Sequence, residues 1–229
     1  PSWRLTLGGR YTYEKKSGSR KLEFGLPDGS RLPIGETDTA AAVTFAAERH
    51  DLKGKRTESQ FAPLVNIQWD INDAAMSYFS ARRGFKSGGY DARSNSSPSA
   101  DPTPSNPNAV GPNPQVLIGS FEYEEERATS YELGLKTTLF DGVAELNTAL
   151  FYTQFDDLQV SVFDGTLGFN VGNAASAVTQ GIEFDGRIAL SENLMLAGGL
   201  AFLDFEFQNH EFGTCIQDQI PDNPNGINC

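Results

Sequence analysis

The stretch ATSYELGLKTTLF, residues 128–140, decides the fold because the chemistry of its side chains changes at every step. A two-residue period is the signature of a β-strand whose two faces meet different surroundings. One face is mostly apolar and the other small or charged: Tyr131, Leu133, Leu135, Thr137 and Leu139 against Ser130, Glu132, Gly134, Lys136 and Thr138. The stretch therefore predicts a strand that separates an apolar from a polar environment.

Six further segments show a two-residue pattern, less cleanly in two of them, and predict an all-β chain of about seven strands. They are residues 3–14, 61–71, 75–86, 143–154, 177–190 and 194–207. The connections between them alternate in length. Short ones fall at 72–74, 141–142 and 191–193, whereas long ones fall at 15–56, 87–127, about 164–175 and after 208. Asp141-Gly142 is in addition a type I′ hairpin signal.

This alternation places every tight turn at one end of the sheet and every long loop at the other. Outer-membrane barrels have that asymmetry, with short periplasmic turns and long extracellular loops. The sequence therefore favours an antiparallel, up-and-down transmembrane β-barrel segment. A soluble sandwich, with its apolar face inward, is the alternative that alternation alone leaves open.

Composition excludes several other classes. The 229 residues carry a net charge of -12, so a nucleic-acid partner, which needs a basic face, is not expected. The longest nearly apolar stretch, residues 40–47, is far shorter than the roughly 20 residues of a spanning helix. We expect any targeting signal to lie outside this sequence, because its first residues have no charged and apolar leader pattern.

Aromatic residues on the first two predicted strands support the membrane interpretation. Trp3 and Trp69 fall at the short-turn end of the apolar face, and Tyr11 and Tyr13 at the loop end. At a rise of about 3.3 Å per residue and a tilt near 40°, Trp3 and Tyr13 are separated by about 25 Å along the membrane normal. We interpret the four as lipid-interface aromatics.

The free-energy cost of placing a charged side chain in lipid decides which face of the sheet meets the bilayer. A lysine such as Lys136 turned toward the bilayer midplane costs roughly 2–4 kcal/mol. The charged face is therefore expected to line a polar lumen.

The sequence resembles the TonB-dependent outer-membrane receptors, those for siderophores in particular, in motifs that follow one another in order. RGFKSGGY at 83–90 is similar to a strand end common in that family. The other matches are PLVNIQWD at 63–70, YELGLK at 131–136, FY at 151–152 with DDLQV at 156–160, NAA at 173–175 and GIE at 181–183.

The resemblance implies a barrel of 22 strands in the outer membrane of a Gram-negative bacterium, filled by a plug. It also implies uptake of a scarce solute, such as a ferric siderophore, driven through the TonB complex. Residues 1–229 would then be part of one barrel domain, with the plug and the C-terminal strands elsewhere. A passive porin-like channel is the alternative function, and no cofactor is expected.

Candidate ligand-binding or lumen residues are charged. Those expected on the lumen face are Arg10, Glu132, Lys136, Glu183, Asp185 and Arg187, and those expected to cluster at the loop end of the third strand are Arg82, Arg83 and Lys86. Charged residues also occur in a lumen simply because it is wet, and long cations at an interface also snorkel.

Two further features lie in predicted loops. Glu122 to Glu126 form an acidic run around Tyr123, which we interpret as a solvated loop face. Cys215 and Cys229 are predicted to form a disulfide that closes a loop in an oxidising compartment. Unpaired thiols are the alternative.

No catalytic or metal constellation is predicted, so we do not expect an enzyme. His50 and His210 are the only histidines and fall in different predicted loops. Neither has a nucleophile or carboxylate pair at a telling spacing.

Overall fold

Seven long strands form one antiparallel sheet in chain order in the computed structural model, which describes residues 2–23, 28–30, 50–93, 121–163 and 169–210. All seven predicted strands are confirmed. Their bounds are β1 Ser2–Leu22, β2 His50–Asn72, β3 Ala75–Lys86, β6 Glu126–Leu139, β7 Ala144–Phe163, β8 Phe169–Ser191 and β9 Leu194–His210. Two short strands, β4 Gly89–Tyr90 and β5 Glu122–Tyr123, pair separately between β3 and β6.

Six of the seven long strands run further toward the loop end than the alternation predicts, and only β3 ends where expected. The expectation that a loop begins at Lys15 was wrong, because β1 and β2 stay paired as far as Leu22 and His50. Similarly, β7 reaches Phe163 and β8 begins at Phe169. Side chains above an apolar layer need not alternate in polarity, so periodicity marks the membrane-crossing part of a strand better than its full length.

The tight turns lie at one end of the sheet, as expected. Between β2 and β3 the Ala74 N–H donates to Asn72 Oδ1 at 2.9 Å, an Asx turn. Between β6 and β7, Asp141 and Gly142 have the positive φ values, 53° and 95°, that the predicted type I′ turn requires, and the Val143 N–H donates to the Phe140 carbonyl at 3.2 Å. Phe140 also has φ 55° and the last strand pair is Leu139 with Ala144, so the connection has four residues and the predicted two-residue hairpin was wrong in its length.

The sheet is a single layer without a central core. Among the described residues no large side chain is fully buried, and the apolar face is largely exposed: Leu133 retains 50% of its accessible surface and Phe202 retains 61%. Water is a poor solvent for so extensive an apolar face, so this face requires an apolar medium. No helix in the described residues is long and apolar enough to cross a bilayer.

The apolar band crosses the sheet obliquely, which yields the strand tilt. From the turn end toward the loop end, the first charged residue on the outer face is Lys15 on β1 and Asp204 on β9. The register places Asp204 in the same row of cross-strand partners as Leu7, which is eight residues before Lys15 on β1. That row contains Leu7, Val65, Ala81, Tyr131, Tyr152, Gln180 and Asp204. Eight residues span about 26 Å along the strands, and six strand-to-strand steps span about 29 Å across them. If the edge of the apolar band lies in the membrane plane, these two lengths give a strand tilt of about 42° from the membrane normal. Membrane barrels have tilts of 35–45°.

Candidate functional site: the inner wall and the strap

The polar face of the sheet, here called the inner wall, collects the predicted lumen residues. Direct cross-strand pairing puts Arg10, Arg82, Glu132, Lys136, Glu183, Asp185 and Arg187 on this one face. The Arg10 guanidinium carbon lies 5.8 Å from the centre of the Phe85 ring. The alternation therefore placed these side chains correctly, and their contact with a ligand stays a prediction.

Tyr78 organises the middle of the inner wall. Its ring lies over Gly134, its direct cross-strand partner, where a Cβ would overlap the ring. Its hydroxyl donates to Glu132 Oε1 at 2.6 Å, and the Lys136 ammonium lies 5.9 Å from the ring centre. The glycine thus lets one aromatic side chain lie flat and hold a carboxylate and an ammonium on a polar surface.

The turn end of the inner wall is fixed by cross-strand polar pairs. Arg187 contacts Glu145 at 2.5 Å, and Asn147 donates to Asp185 at 3.0 Å. Arg4 binds Asp70 through both terminal nitrogens, at 2.5 and 2.6 Å. Glu145 and Arg187 are directly across from each other, whereas Arg4 and Asp70 are diagonal neighbours, and opposite charges in either arrangement stabilise the register of an antiparallel ladder.

The expected cluster of Arg82, Arg83 and Lys86 does not form, because successive residues of a strand point to opposite faces. Arg82 pairs with Ser130 on the inner wall, whereas Arg83 pairs with Thr129 on the apolar face. Lys86 is across from Glu126 on the inner side, with Nζ 3.8 Å from its carboxylate. One of the three cations is thus directed toward lipid.

The four interface aromatics occupy the outer face. Trp3 and Trp69 are direct cross-strand partners and stack with ring centres 5.3 Å apart and planes 6° apart. Tyr11 and Tyr13 lie on the same face with 67% and 55% of their surface exposed. Amphipathic rings at the two edges of an apolar band are typical of membrane strands.

The connection between β3 and β6 folds inward above the apolar band. We call its described part, residues 87–93 and 121–125, the strap. The Tyr90 ring lies against Gly18 and Gly54, which face each other on β1 and β2. A Cβ at Gly18 would lie 2.6 Å from the ring, so only glycine leaves room for this contact. Burial raises the pKa of the Tyr90 hydroxyl.

Arg56 of β2 is the ionic centre of the strap. It contacts Glu58 at 2.5 Å, Glu124 at 2.6 Å and Glu122 at 3.0 Å, and its own side chain is only 9% exposed. Hydrogen bonding to Glu124 is the main cause that raises the pKa of the guanidinium, and burial opposes it. Glu58 also accepts the Gly88 N–H at 3.2 Å, so β2 holds both halves of the strap.

Two side-chain amides fasten the strap to β7 and β8. Asn173 accepts the Glu124 N–H at 2.7 Å and donates to the Glu124 carbonyl at 3.0 Å, as a neighbouring strand would. Gln159 donates to the carbonyls of Glu124 and Ser87 at 2.9 and 3.1 Å. The strap therefore joins β1 and β2 to β7 and β8 across the inner side of the sheet.

Sequence reasoning missed this strap and misread its acidic run. Glu125 and Glu126 are only 16% and 13% exposed and ion-paired, so the run is not simply a solvated face. Its cation partner, Arg56, is 66 to 69 residues away in sequence, and only the register brings the two together. Three of the family-like motifs do contain residues of this arrangement: RGFKSGGY includes Gly88 and Tyr90, DDLQV includes Gln159, and NAA includes Asn173.

Other predicted features are not observed or fall elsewhere. Cys215 and Cys229 lie outside the described residues. His50 and His210, expected in loops, are the first residue of β2 and the last of β9. In the described ranges no three His, Cys, Asp or Glu side chains are grouped so as to hold a metal ion.

Comparison with known proteins agrees with this architecture. The family model described as TonB dependent receptor-like, beta-barrel, matches residues 1–226. The solved structure of the ferric yersiniabactin uptake receptor FyuA from Yersinia pestis is similar over 90% of the chain, with 17% identity and a TM-score of 0.59. The siderophore receptor PiuA from Acinetobacter baumannii is similar over 94%, with 14% identity and a TM-score of 0.55.

The copper transporter OprC is also similar, over 90% of the chain, with 12% identity and a TM-score of 0.56. The chain spans about a quarter of each of these structures: 24% of FyuA, 24% of PiuA and 27% of OprC. Members of the matched family are transport receptors of the Gram-negative outer membrane. With a family model that covers residues 1–226 and a sheet whose apolar face and tilt suit a bilayer, the chain belongs to the TonB-dependent receptor β-barrel family.

Proposed function

We propose that this chain forms part of the barrel wall of a receptor that imports a scarce solute with energy from the TonB complex, and that the solute is a ferric siderophore. The observation that carries the proposal is the combination of family membership with an inner wall and an inward strap. A polar wall suits a hydrated passage, and a strap folded toward it narrows that passage to selected solutes.

The charges of the inner wall support passage of a polar solute. Arg82, Lys136 and Glu183 make no ion pair with any residue in the described ranges, so they are available to a solute or to a plug. Hydroxyl groups lie beside Arg82 in the same row, where Thr153 donates to Ser130 at 2.9 Å. Such a row offers exchangeable hydrogen bonds to a passing chelate.

The names of similar proteins favour iron chelates and keep copper as a second cargo. FyuA and PiuA are named for ferric yersiniabactin and for siderophores, and OprC for copper. Here the metal ion would be cargo. The plug that contacts TonB is likewise proposed, because the chain covers about a quarter of these structures.

Uptake in the native bacterium tests the proposal. Deletion of the full-length gene should impair growth under iron limitation, and the gene restored in cells that lack TonB should not rescue it. A porin-like channel would rescue growth with or without TonB, and that result would overturn the energised mechanism. Growth that depends on copper supply and is indifferent to iron would replace the siderophore as cargo.

A further inference from the structure

Three cations of β1 and β2 lie beneath the strap, above the apolar band. Lys16 and Arg56 are direct cross-strand partners on the inner side of the sheet, and Arg20 lies four residues further along β1 on the same side. Lys16 and Arg20 are three and seven residues beyond Tyr13 on that strand. At a tilt of about 42° each residue climbs about 2.5 Å, so the two lie about 7 and 17 Å above the tyrosine. We call Lys16, Arg20 and Arg56 the covered cations, and they lie at the loop-end entrance to the lumen.

Like charges pair across the strands here, so this part of the wall needs acceptors from elsewhere. Lys16 is directly across from Arg56. The next pair on the same side is Glu14 with Glu58. Like charges directly opposite each other destabilise a ladder. Within the strands, Lys16 contacts Glu14 at 3.3 Å. Arg56 contacts Glu58 at 2.5 Å. An ammonium has three donors and a guanidinium five, so each cation can bind further acceptors.

The strap supplies acceptors to Lys16 and Arg20 that carry no charge. Lys16 donates to the Gly88 carbonyl at 2.7 Å and to the Ser87 hydroxyl. Arg20, which is only 7% exposed, donates to the Asp91 carbonyl at 2.9 Å. Hydrogen bonds between two charged groups are stronger than those in which the acceptor is neutral. An anion that reached these donors would therefore bind them more strongly than the strap does.

At Arg56 the strap uses carboxylates, but these are replaceable. Glu124 and Glu122 bind the guanidinium at 2.6 and 3.0 Å and are 69% and 48% exposed. Such exposed ion pairs contribute little free energy. Closure also leaves Glu58 Oε2 and the Tyr90 hydroxyl buried without a hydrogen-bond partner in the part of the chain that the structure describes. Buried polar atoms without partners oppose closure, so the strap is held in a state that a better ligand can displace.

We propose that the strap is an internal competitor for an anionic solute. The covered cations form a binding site for a chelate that presents several carboxylate, phenolate or catecholate oxygens, and such a chelate displaces the strap from them. A neutral chelate offers no stronger acceptors than the strap already provides and leaves it closed. Because the anion is the solute that the receptor imports, this inference rests on the proposed function.

Two iron chelates of similar coordination geometry but different charge test the proposal. One is a hexadentate iron(III) tris(catecholate), a trianion, and the other is a hexadentate iron(III) tris(hydroxamate), which is neutral. Each is titrated into the purified full-length receptor in detergent, without TonB, while hydrogen exchange of the Gly88 and Asp91 amides reports on the strap. The trianion should bind about tenfold more tightly at low salt and should accelerate exchange of both amides, whereas the neutral chelate should leave them protected.

Two charge variants separate competition from simple loosening of the strap. Glu122→Gln, Glu124→Gln weakens the competitor and should tighten binding of the trianion by about fivefold. Lys16→Gln also loosens the strap, because the hydrogen bond to the Gly88 carbonyl is lost, but it removes a covered cation. Binding of the trianion should therefore weaken by about tenfold in Lys16→Gln, although the Gly88 amide exchanges faster. A strap with a purely structural role would shift the affinity in the same direction in both variants.

Asp156→Asn, Glu206→Gln is the matched control for the acidic variant. Both residues lie on the outer face at the loop end, so the same change of charge there should alter neither the affinity nor the exchange. Absent or equal binding of the two chelates overturns the proposal, and so does binding of the trianion that leaves strap exchange unchanged. A shift of affinity in the same direction in the acidic and lysine variants overturns it as well. None of these results bears on the proposed function, which TonB-dependent uptake tests separately.

Discussion

Removal of the Arg56 guanidinium should release the strap without unfolding the barrel. Its side chain is 9% exposed and that of Glu58 is 6% exposed, so Arg56→Met leaves a buried carboxylate without its cation. Breaking a buried pair in this way costs about 3–5 kcal/mol. The contacts to Glu122 and Glu124 add little because these glutamates are 48% and 69% exposed. A loss of about 3 kcal/mol corresponds to roughly 150-fold more frequent opening.

Hydrogen exchange of the full-length protein in detergent measures that opening. The amides of Gly88 and Asp91, which bind Glu58 and the Phe121 carbonyl, should exchange about 150-fold faster, and strand amides near Leu133 should not change. Lys53→Met, on an exposed position of the same strand, is the matched control and should have no effect. The double variant Arg56→Met, Glu58→Met should recover most of the protection, because an apolar pair replaces a buried ionic one.

Unchanged exchange in Arg56→Met would refute the role of the ion pair. Equal acceleration at strap and strand amides would refute the claim that the strap opens separately. A double variant no better than the single one would show that the uncompensated Glu58 carboxylate is not the cause.

Three further predictions concern local contacts. Asn173→Ala removes both hydrogen bonds to the Glu124 backbone and should destabilise the closed strap by about 1–3 kcal/mol, seen as faster exchange of the Glu124 amide; unchanged exchange would contradict it. Gly142→Ala places a side chain on a residue with φ 95° and should lower the free energy of unfolding by about 1 kcal/mol, measured in a urea titration. Gly198→Ala is the control, because Gly198 has open space around it and no positive φ, and it should not lower that free energy in this way. Tyr78→Phe removes the hydrogen bond to Glu132 at a cost of about 1 kcal/mol, read from the same titration, and an unaltered midpoint would argue against that bond.

The parts of the chain that cross the apolar layer were predictable because lipid dictates their alternation. Leu133 and Glu132 have to face opposite sides, and the register places them so. Short turns were predictable from local chemistry, as Asp141 and Gly142 show, since a type I′ turn needs two residues with positive φ.

The strap was not predictable for a physical reason. Gly18 and Gly54 are cross-strand partners, and together they leave room for the Tyr90 ring. Their pairing depends on the strand register, which the local sequence does not specify above the membrane. Likewise, Arg56 and Glu124 are 68 residues apart in sequence. The predicted cluster of cations was wrong because adjacent residues of a strand point to opposite faces. Arg82 lies on the inner wall and Arg83 on the apolar face.

The leucine face of the sheet lies in lipid, and the inner wall lies in water. Spin labels attached at Leu133→Cys and at Glu132→Cys, in a full-length receptor with Cys215 and Cys229 replaced by serine, test it in reconstituted bilayers. The label at position 133 should be relaxed by oxygen, which concentrates in lipid, and shielded from a water-soluble nickel chelate. The label at position 132 should be shielded from lipid-dissolved oxygen. The reverse pattern, or free access of the nickel chelate to both positions, would show that the leucine face does not lie in lipid.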